Sequence, residues 1–288
     1  MVEHKGNTNQ TNTVKLESSI DRVVWERGIA ATGANVGLAV DTHFVGNNSE
    51  MEIKLEDSDG KSFGKFKDKI SANKFWCTLQ IPEDCGRILY ATVKLPKHGL
   101  EMKSNPLLVI PIKIKNAKWD KEEARRGDVL KLTAYVEKAE DGMEGEIQIY
   151  EHDADGAHDL ITKIPVVVKS QKVETEWAFE YHEDTDDIVR NEESELGYNP
   201  PEYFFRVDIL GVTADSGLLR FKDWLRIELL DYAGNPIPNA EYVLHMPDGS
   251  DKEGTLDDEG KAIEENLPPG RIDVEFRNVQ NSQSTNRQ

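Results

Sequence analysis

From Ile20 onward the chain is a succession of short apolar alternations, each interrupted by a turn signal. Successive side chains of an extended strand point to opposite faces, so Val36/Leu38/Val40 share one face and mark a half-buried strand. In the stretch from Trp224 to Phe276 the interruptions come roughly every eight to twelve residues, the rhythm of a small all-β sandwich. Its turns are chemically explicit: Ala233-Gly234-Asn235-Pro236, Pro247-Asp248-Gly249, Asp258-Glu259-Gly260 and Pro268-Pro269-Gly270. Glycine and asparagine tolerate positive φ there, and proline fixes φ and cannot donate to a ladder. Between the turns, Leu225/Ile227/Leu229, Tyr242/Leu244 and Ile272/Val274/Phe276 each predict one apolar strand face.

Upstream, the pattern repeats itself. Arg22 to Thr42 aligns with Asn116 to Val136, and both Trp25/Trp119 and Gly33/Gly127 match at an offset of 94. At that offset Val36/Leu38/Val40 meet Leu130/Leu132/Ala134, which preserves the alternation. Met51 to Gly60 then matches Gly145 to Gly156, and Asn73 to Asp84 parallels Val173 to Asp184, with Trp76 opposite Trp177. Each copy is about 100 residues long with about seven strands, the size of an immunoglobulin-like sandwich. The paired tryptophans are expected to plug the core between sheets, and all five to follow core-like alternation. The fold expected is therefore all-β, as tandem sandwiches. Residues 1–19 form an arm, 20–113 a first Ig-like domain, and 114–221 a second with an acidic insertion at 183–202. Residues 222–278 form a small sandwich and 279–288 a tail. No Gly/Ser or Pro-rich linker separates the three sandwiches, which predicts semi-rigid joints.

The C-terminal turn order, D-x-x-G-x-P-x-P from Asp231, a tyrosine strand ending in P-D-G, then G-T-L-D-x-x-G and P-P-G, resembles a known family. It looks like the transthyretin-like domains of spike and adaptor proteins in bacterial contractile injection (type VI secretion) machines. The resemblance covers about the last fifth of the chain and implies a rigid docking or extension domain. Transthyretin-related hydrolases carry a tyrosine-arginine-glycine-serine tail and paired histidines. This stretch holds only His245 and the chain ends NSQSTNRQ, so that activity is not expected.

Charge narrows the choice of partner. With 35 basic against 54 acidic side chains the formal balance is −19. Such a charge repels phosphate backbones and anionic lipid, so neither nucleic acid nor membrane insertion is expected, and a basic protein surface is the favoured partner. No apolar run reaches the roughly 20 residues of a membrane-spanning helix, and the first residues lack the apolar core of a secretory signal. Cytoplasmic assembly is expected, with export only as part of an injection particle. Cys77 and Cys85, eight residues apart, are expected to be reduced thiols, with a disulfide closing a small loop as the alternative.

Candidate chemistry is sparse. Three acidic turns, Glu56 to Gly60, His152 to Gly156 and Asp257 to Gly260, have oxygen-rich D-x-D-G character but none of the spacing of an EF-hand. Asp-Gly is also a common hairpin dipeptide for reasons of φ alone. Asp153, Asp155, His152 and His158 form the one cluster that a transition metal could use, and solvated side chains are the alternative. No nucleophile elbow and no phosphate loop occurs, so no catalysis and no cofactor is expected. The run from Glu183 to Glu195 carries seven acids and one base and has no counterpart in the first copy. Loops grafted onto sandwiches are where partners bind. Asp184, Asp186, Asp187, Glu192 and Glu193, with the neighbouring Tyr198 and Tyr203 and with Tyr242 of the last domain, are the candidate partner-binding residues. The function expected is a structural or adaptor component of an injection apparatus, docking a spike, tip or effector protein. A surface or filament protein and a carbohydrate-binding accessory module are the alternatives.

Overall fold

The apolar alternations fold as strands throughout. The computed structural model describes residues 5–153, 156–179, 188–192 and 197–277. The chain divides into two units. The first comprises the chain up to Ile114 with two later segments, 136–145 and 208–213, and the second comprises the remainder.

The first nine strands are β1 (Ser19–Trp25), β2 (Ile29–Ala31), β3 (Asn35–His43), β4 (Ser49–Asp57), β5 (Ser62–Ile70), β6 (Lys74–Gln80), β7 (Ile88–Leu95), β8 (Leu100–Lys103) and β9 (Leu107–Ile110). They make a three-stranded sheet, β1-β3-β6, and a second sheet in the order β2-β9-β7-β4-β5, with β8 added on β7. Alternation decides what lies between them: Val36, Leu38 and Val40 of β3, Ile53 of β4, and Leu89, Ala91 and Val93 of β7 are fully buried.

The next nine strands are β10 (Lys113–Trp119), β11 (Glu123–Ala124), β12 (Val129–Glu137), β13 (Glu144–Glu151), β14 (Asp159–Val167), β15 (Lys172–Ala178), β16 (Glu202–Ile209), β17 (Val212–Asp215) and β18 (Leu219–Phe221). Their sheets run β10-β12-β15 and β11-β18-β16-β13-β14, with β17 on β16. This is the first topology again, strand for strand. Even its parallel pair recurs, β2 with β9 and β11 with β18. Among the described residues each copy thus has nine strands, because β2 and β8 and their counterparts are too short to stand out as alternations.

Small devices recur with the topology. Gly33 and Gly127, at φ 78° and 88°, donate their N–H groups to the carbonyls of Ile81 and Phe179 at 2.8 and 2.9 Å. Ser104 and Ser216 each accept the N–H of the strand opposite, from Ala91 at 3.0 Å and Phe205 at 2.9 Å. Each hydroxyl donates in turn to the next carbonyl, Asn105 or Gly217. Ala72-Asn73 and Ser170-Gln171 are the same two-residue turn, positive in φ at both positions, where glycine or asparagine is the usual choice.

The glycine bonds and the strand registers correct one expectation. They place Trp76 opposite Glu174 and Trp177 opposite Leu79, since Ala39 pairs with Trp76 while Thr133 pairs with Glu174. Trp25 and Trp119 are core plugs, at 3% and 7% exposure, and Trp177 packs beside Trp119 at 5.9 Å. Trp76 is 63% exposed, and Trp224 is exposed as well. Alternation gives the period of a strand but not which of its two faces is covered.

The last five strands are β19 (Asp223–Glu228), β20 (Glu241–His245), β21 (Asp251–Thr255), β22 (Lys261–Leu267) and β23 (Asp273–Arg277). They pair as β19-β22 and β21-β20-β23. Between the two sheets lie Ile227, Tyr242, Leu244, Met246, Leu256 and Leu267, with Leu225, Leu229, Ile272, Val274 and Phe276 packed at the margin. The three predicted strand faces converge on this one core. The protein is all-β, a tandem series of β-sandwiches.

Candidate docking site

The described ends of the acidic insertion lie against the C-terminal sandwich, within the second unit. Arg190, the one base in the acidic run, reaches Asp273 of β23 at 2.6 Å. The Asn191 N–H donates to the Pro247 carbonyl at 2.8 Å. The Tyr198 hydroxyl donates to the Pro269 carbonyl at 2.6 Å, in the P-P-G turn. On a second line of contact, Arg125 beside β11 bonds Glu265 at 3.0 Å and Asn266 at 2.7 Å, both on β22. Hydrogen bonding from Arg190 holds the Asp273 carboxyl below its ordinary range, which strengthens a charge-assisted contact. Arg190, Asn191 and Tyr198 therefore form a strap from the second repeat onto the final domain. The one arginine of the acidic run is the residue that makes this ion pair.

The structure separates the candidate partner-binding residues. Glu192 is exposed beside the strap. Asp184, Asp186, Asp187 and Glu193 lie outside the described residues. Tyr198 is committed to the strap. Tyr203 is a core residue at 4% exposure, packed edge-on to Phe179 at 5.3 Å, and does not present its ring to a partner. Tyr242 is likewise interior at 2% exposure. Its ring lies over Gly254 of the neighbouring strand, where any Cβ would meet the phenol within 2.3 Å. Its hydroxyl bonds Glu264, which also pairs with Lys252 at 2.5 Å. Burial, then the Glu264 carboxylate, pushes the phenol well above its ordinary pKa, so it stays a neutral donor. A buried tyrosine usually needs such a partner. Tyr242 shares its predicted apolar face with Leu244, and that face was the sounder guide.

The acidic turns use their carboxylates on their own backbone. Asp57 Oδ1 accepts the N–H groups of Asp59 and Lys61 at 3.0 and 2.9 Å, and Oδ2 accepts that of Gly86 at 3.1 Å. Asp257 repeats the pattern with Glu259 and Lys261, and Asp231 with Ala233 and Asn235. In all three the glycine three residues on has positive φ, 82°, 74° and 85°. Burial pushes the Asp57 carboxyl up, but bonds from Lys61, Gly86 and Asp59 outweigh it and hold it below the ordinary range. D-x-x-G is here a turn device.

At the other candidate cluster, His152 and His158 stack at 5.0 Å against Phe204. His158 Nδ1 accepts the Asp153 N–H at 3.0 Å, which commits that nitrogen. Asp155 lies outside the described residues. Among the described residues no group of three or more His, Cys, Asp or Glu is placed to hold a metal ion. Cys77 and Cys85 are unpaired. Burial, then the charges of Asp68 and Asp57 respectively, raises both thiols to about 11, away from nucleophilic use at neutral pH. Among the described residues no helix is long and apolar enough to cross a membrane.

No family model matches the chain, and no curated protein does. Among solved structures, a tetra-tandem repeat from the extending region of a large adhesion protein is similar at TM-score 0.27 and 10% identity, over 90% of this chain and 73% of that one. Escherichia coli alpha-2-macroglobulin activated by porcine elastase gives TM-score 0.28 and 11% identity, over 89% of this chain and 29% of that one. A Salmonella alpha-2-macroglobulin mutant gives 0.28 and 9%, over 93% and 22%. The chain thus spans less than a third of the macroglobulin chains it resembles.

Proposed function

We propose that the protein is a non-catalytic structural repeat protein in which two Ig-like sandwiches, 20–113 and 114–221, carry a third, 222–278, as a docking module. The strap carries this reading: the contacts of Arg190, Asn191 and Tyr198, with Arg125 beside them, fix the last sandwich on the second repeat. A module held this way passes on position rather than swinging freely. The finer reading rests on the turn motif. The last domain is transthyretin-like, and the protein extends the spike of a contractile injection apparatus or adapts a tip or effector protein to it, assembling in the cytoplasm. The acidic residues Asp184, Asp186, Asp187, Glu192 and Glu193 then face a basic partner.

Pulldown from assembling particles tests the reading. The full chain should be retained and a chain lacking 222–288 should not. Retention of the truncated chain would remove the docking role from the last domain. Neutralising the five acids to Asn and Gln should weaken retention chiefly at low salt, because exposed charges are screened within about 10 Å at 0.1 M. Loss that does not vary with salt would rule out a charge-steered dock.

A further inference from the structure

The outer face of the β1-β3-β6 sheet carries a feature that the structural role leaves unused. Trp76 projects from β6 with 63% of its surface exposed. A lone exposed tryptophan can be chance, but the surface beneath this one is shaped for it. Across the ladder its partner is Ala39, and Ala39 pairs in turn with Val24 of β1. Next along β3 is Gly37, where a Cβ would come within 3.1 Å of Trp76 Nε1 and 2.7 Å of the Glu26 carboxylate. Gly37 does not have the positive φ that would require glycine. Its missing side chain lets the indole and the carboxylate lie low over the strand. A floor of glycine and alanine under a large ring makes a flat platform.

The rim decides what the platform fits. In the ladder rows on either side of the indole lie Gly37 with Thr78, and the Arg22–Asp41 pair with Lys74, while Glu26 accepts the Gly37 N–H. Here hydrogen-bonding groups begin immediately beside one aromatic ring. That suits a ligand with one apolar face and a polar edge all round, and charge of both signs at the rim favours a neutral ligand.

We propose that this face binds a neutral pyranose unit of an oligosaccharide, its C–H face stacked on Trp76 and its hydroxyls bonded by the rim. The inference stands apart from the injection-apparatus reading, because it concerns a different sheet and a different ligand. The second repeat supplies an internal control: its equivalent position is Glu174, bonded to Lys131 and Lys172.

The test is titration of the full chain with cellohexaose, maltohexaose and chitohexaose, followed by indole fluorescence and calorimetry. At least one probe should shift the emission to the blue and bind saturably. Trp76→Ala should weaken that binding about tenfold or more, as loss of an aromatic contact worth upwards of a kilocalorie predicts. Trp76→Tyr, which keeps a ring, should stay within a few-fold of the native protein and shows that loss in Trp76→Ala is not misfolding. No response to any probe overturns the proposal, and so does a response that survives Trp76→Ala. Loss of a protein partner in Trp76→Ala without any saccharide response overturns it in favour of a protein-docking face.

Discussion

The outer faces of β1-β3-β6 and β10-β12-β15 are the same surface built twice. Both open with a tryptophan followed by an acid whose carboxylate accepts a strand N–H, Glu26 from Gly37 at 3.1 Å and Asp120 from Lys131 at 2.9 Å. Beyond that device they part. Gly37, Ala39 and Trp76 in the first correspond to Lys131, Thr133 and Glu174 in the second. The second face is a lattice of ions, with Lys131–Glu174 at 2.6 Å, and the first is a bare indole on a small-residue floor. Exposed ion pairs contribute little stability, a median of about 0–1 kcal/mol. The divergence of the outer faces therefore changes folding stability little, and folding is carried by the interior that the copies share.

That division can be broken by experiment, beginning with the core. Leu38 and Leu132 are equivalent and fully buried. Leu38→Ala and Leu132→Ala should each cost about 2–5 kcal/mol in their own sandwich. Urea unfolding, followed by the fluorescence of Trp25 and Trp119, would measure both. If one substitution costs little, the two interiors are not equivalent and the comparison of faces loses its baseline. The serine device comes next. Ser104→Ala and Ser216→Ala each leave a strand N–H and a following carbonyl without the hydroxyl, at about 1–3 kcal/mol apiece. Loss at one position alone would mean that only one copy depends on the device.

The sequence showed the duplication because what repeats is interior: Trp25/Trp119, Gly33/Gly127 and the alternation of β3 and β12. Such positions are constrained by packing and by φ, and both leave a trace in residue type. It also showed the three faces that meet in the C-terminal core. It misplaced Trp76 against Trp177, because matching by residue identity favours two tryptophans that the strand register keeps three positions apart. Nor could alternation show that Trp76 and Trp224 face out. Which face is covered depends on a second sheet far away in the chain. The strap was half legible: the acidic run announced an insertion, but its arginine and tyrosine bind Asp273 and Pro269, more than seventy residues on.

The smallest predicted effect separates the two outer faces most directly, because only one of them titrates at its centre. Hydrogen bonds from Lys131 and Lys172 hold the Glu174 carboxyl below its ordinary 4.5, and Glu174 in turn raises the Lys131 ammonium. A carboxyl depressed in the folded state adds stability that is fully present above its unfolded pKa. That stability is lost as pH falls through the folded value. The second sandwich should therefore lose a small increment below about pH 4.5 that Glu174→Gln abolishes. The increment should shrink in about 1 M salt, where the Debye length falls to about 3 Å. In the first sandwich Trp76 occupies that position, and Trp76→Gln should leave the acid slope unchanged. Urea midpoints of the separate transitions between pH 3 and 7 would show both results. An acid slope in the second sandwich that survives Glu174→Gln would place its titration elsewhere. The ion lattice would then be incidental to the second face, and the contrast with the first would rest on Trp76 alone.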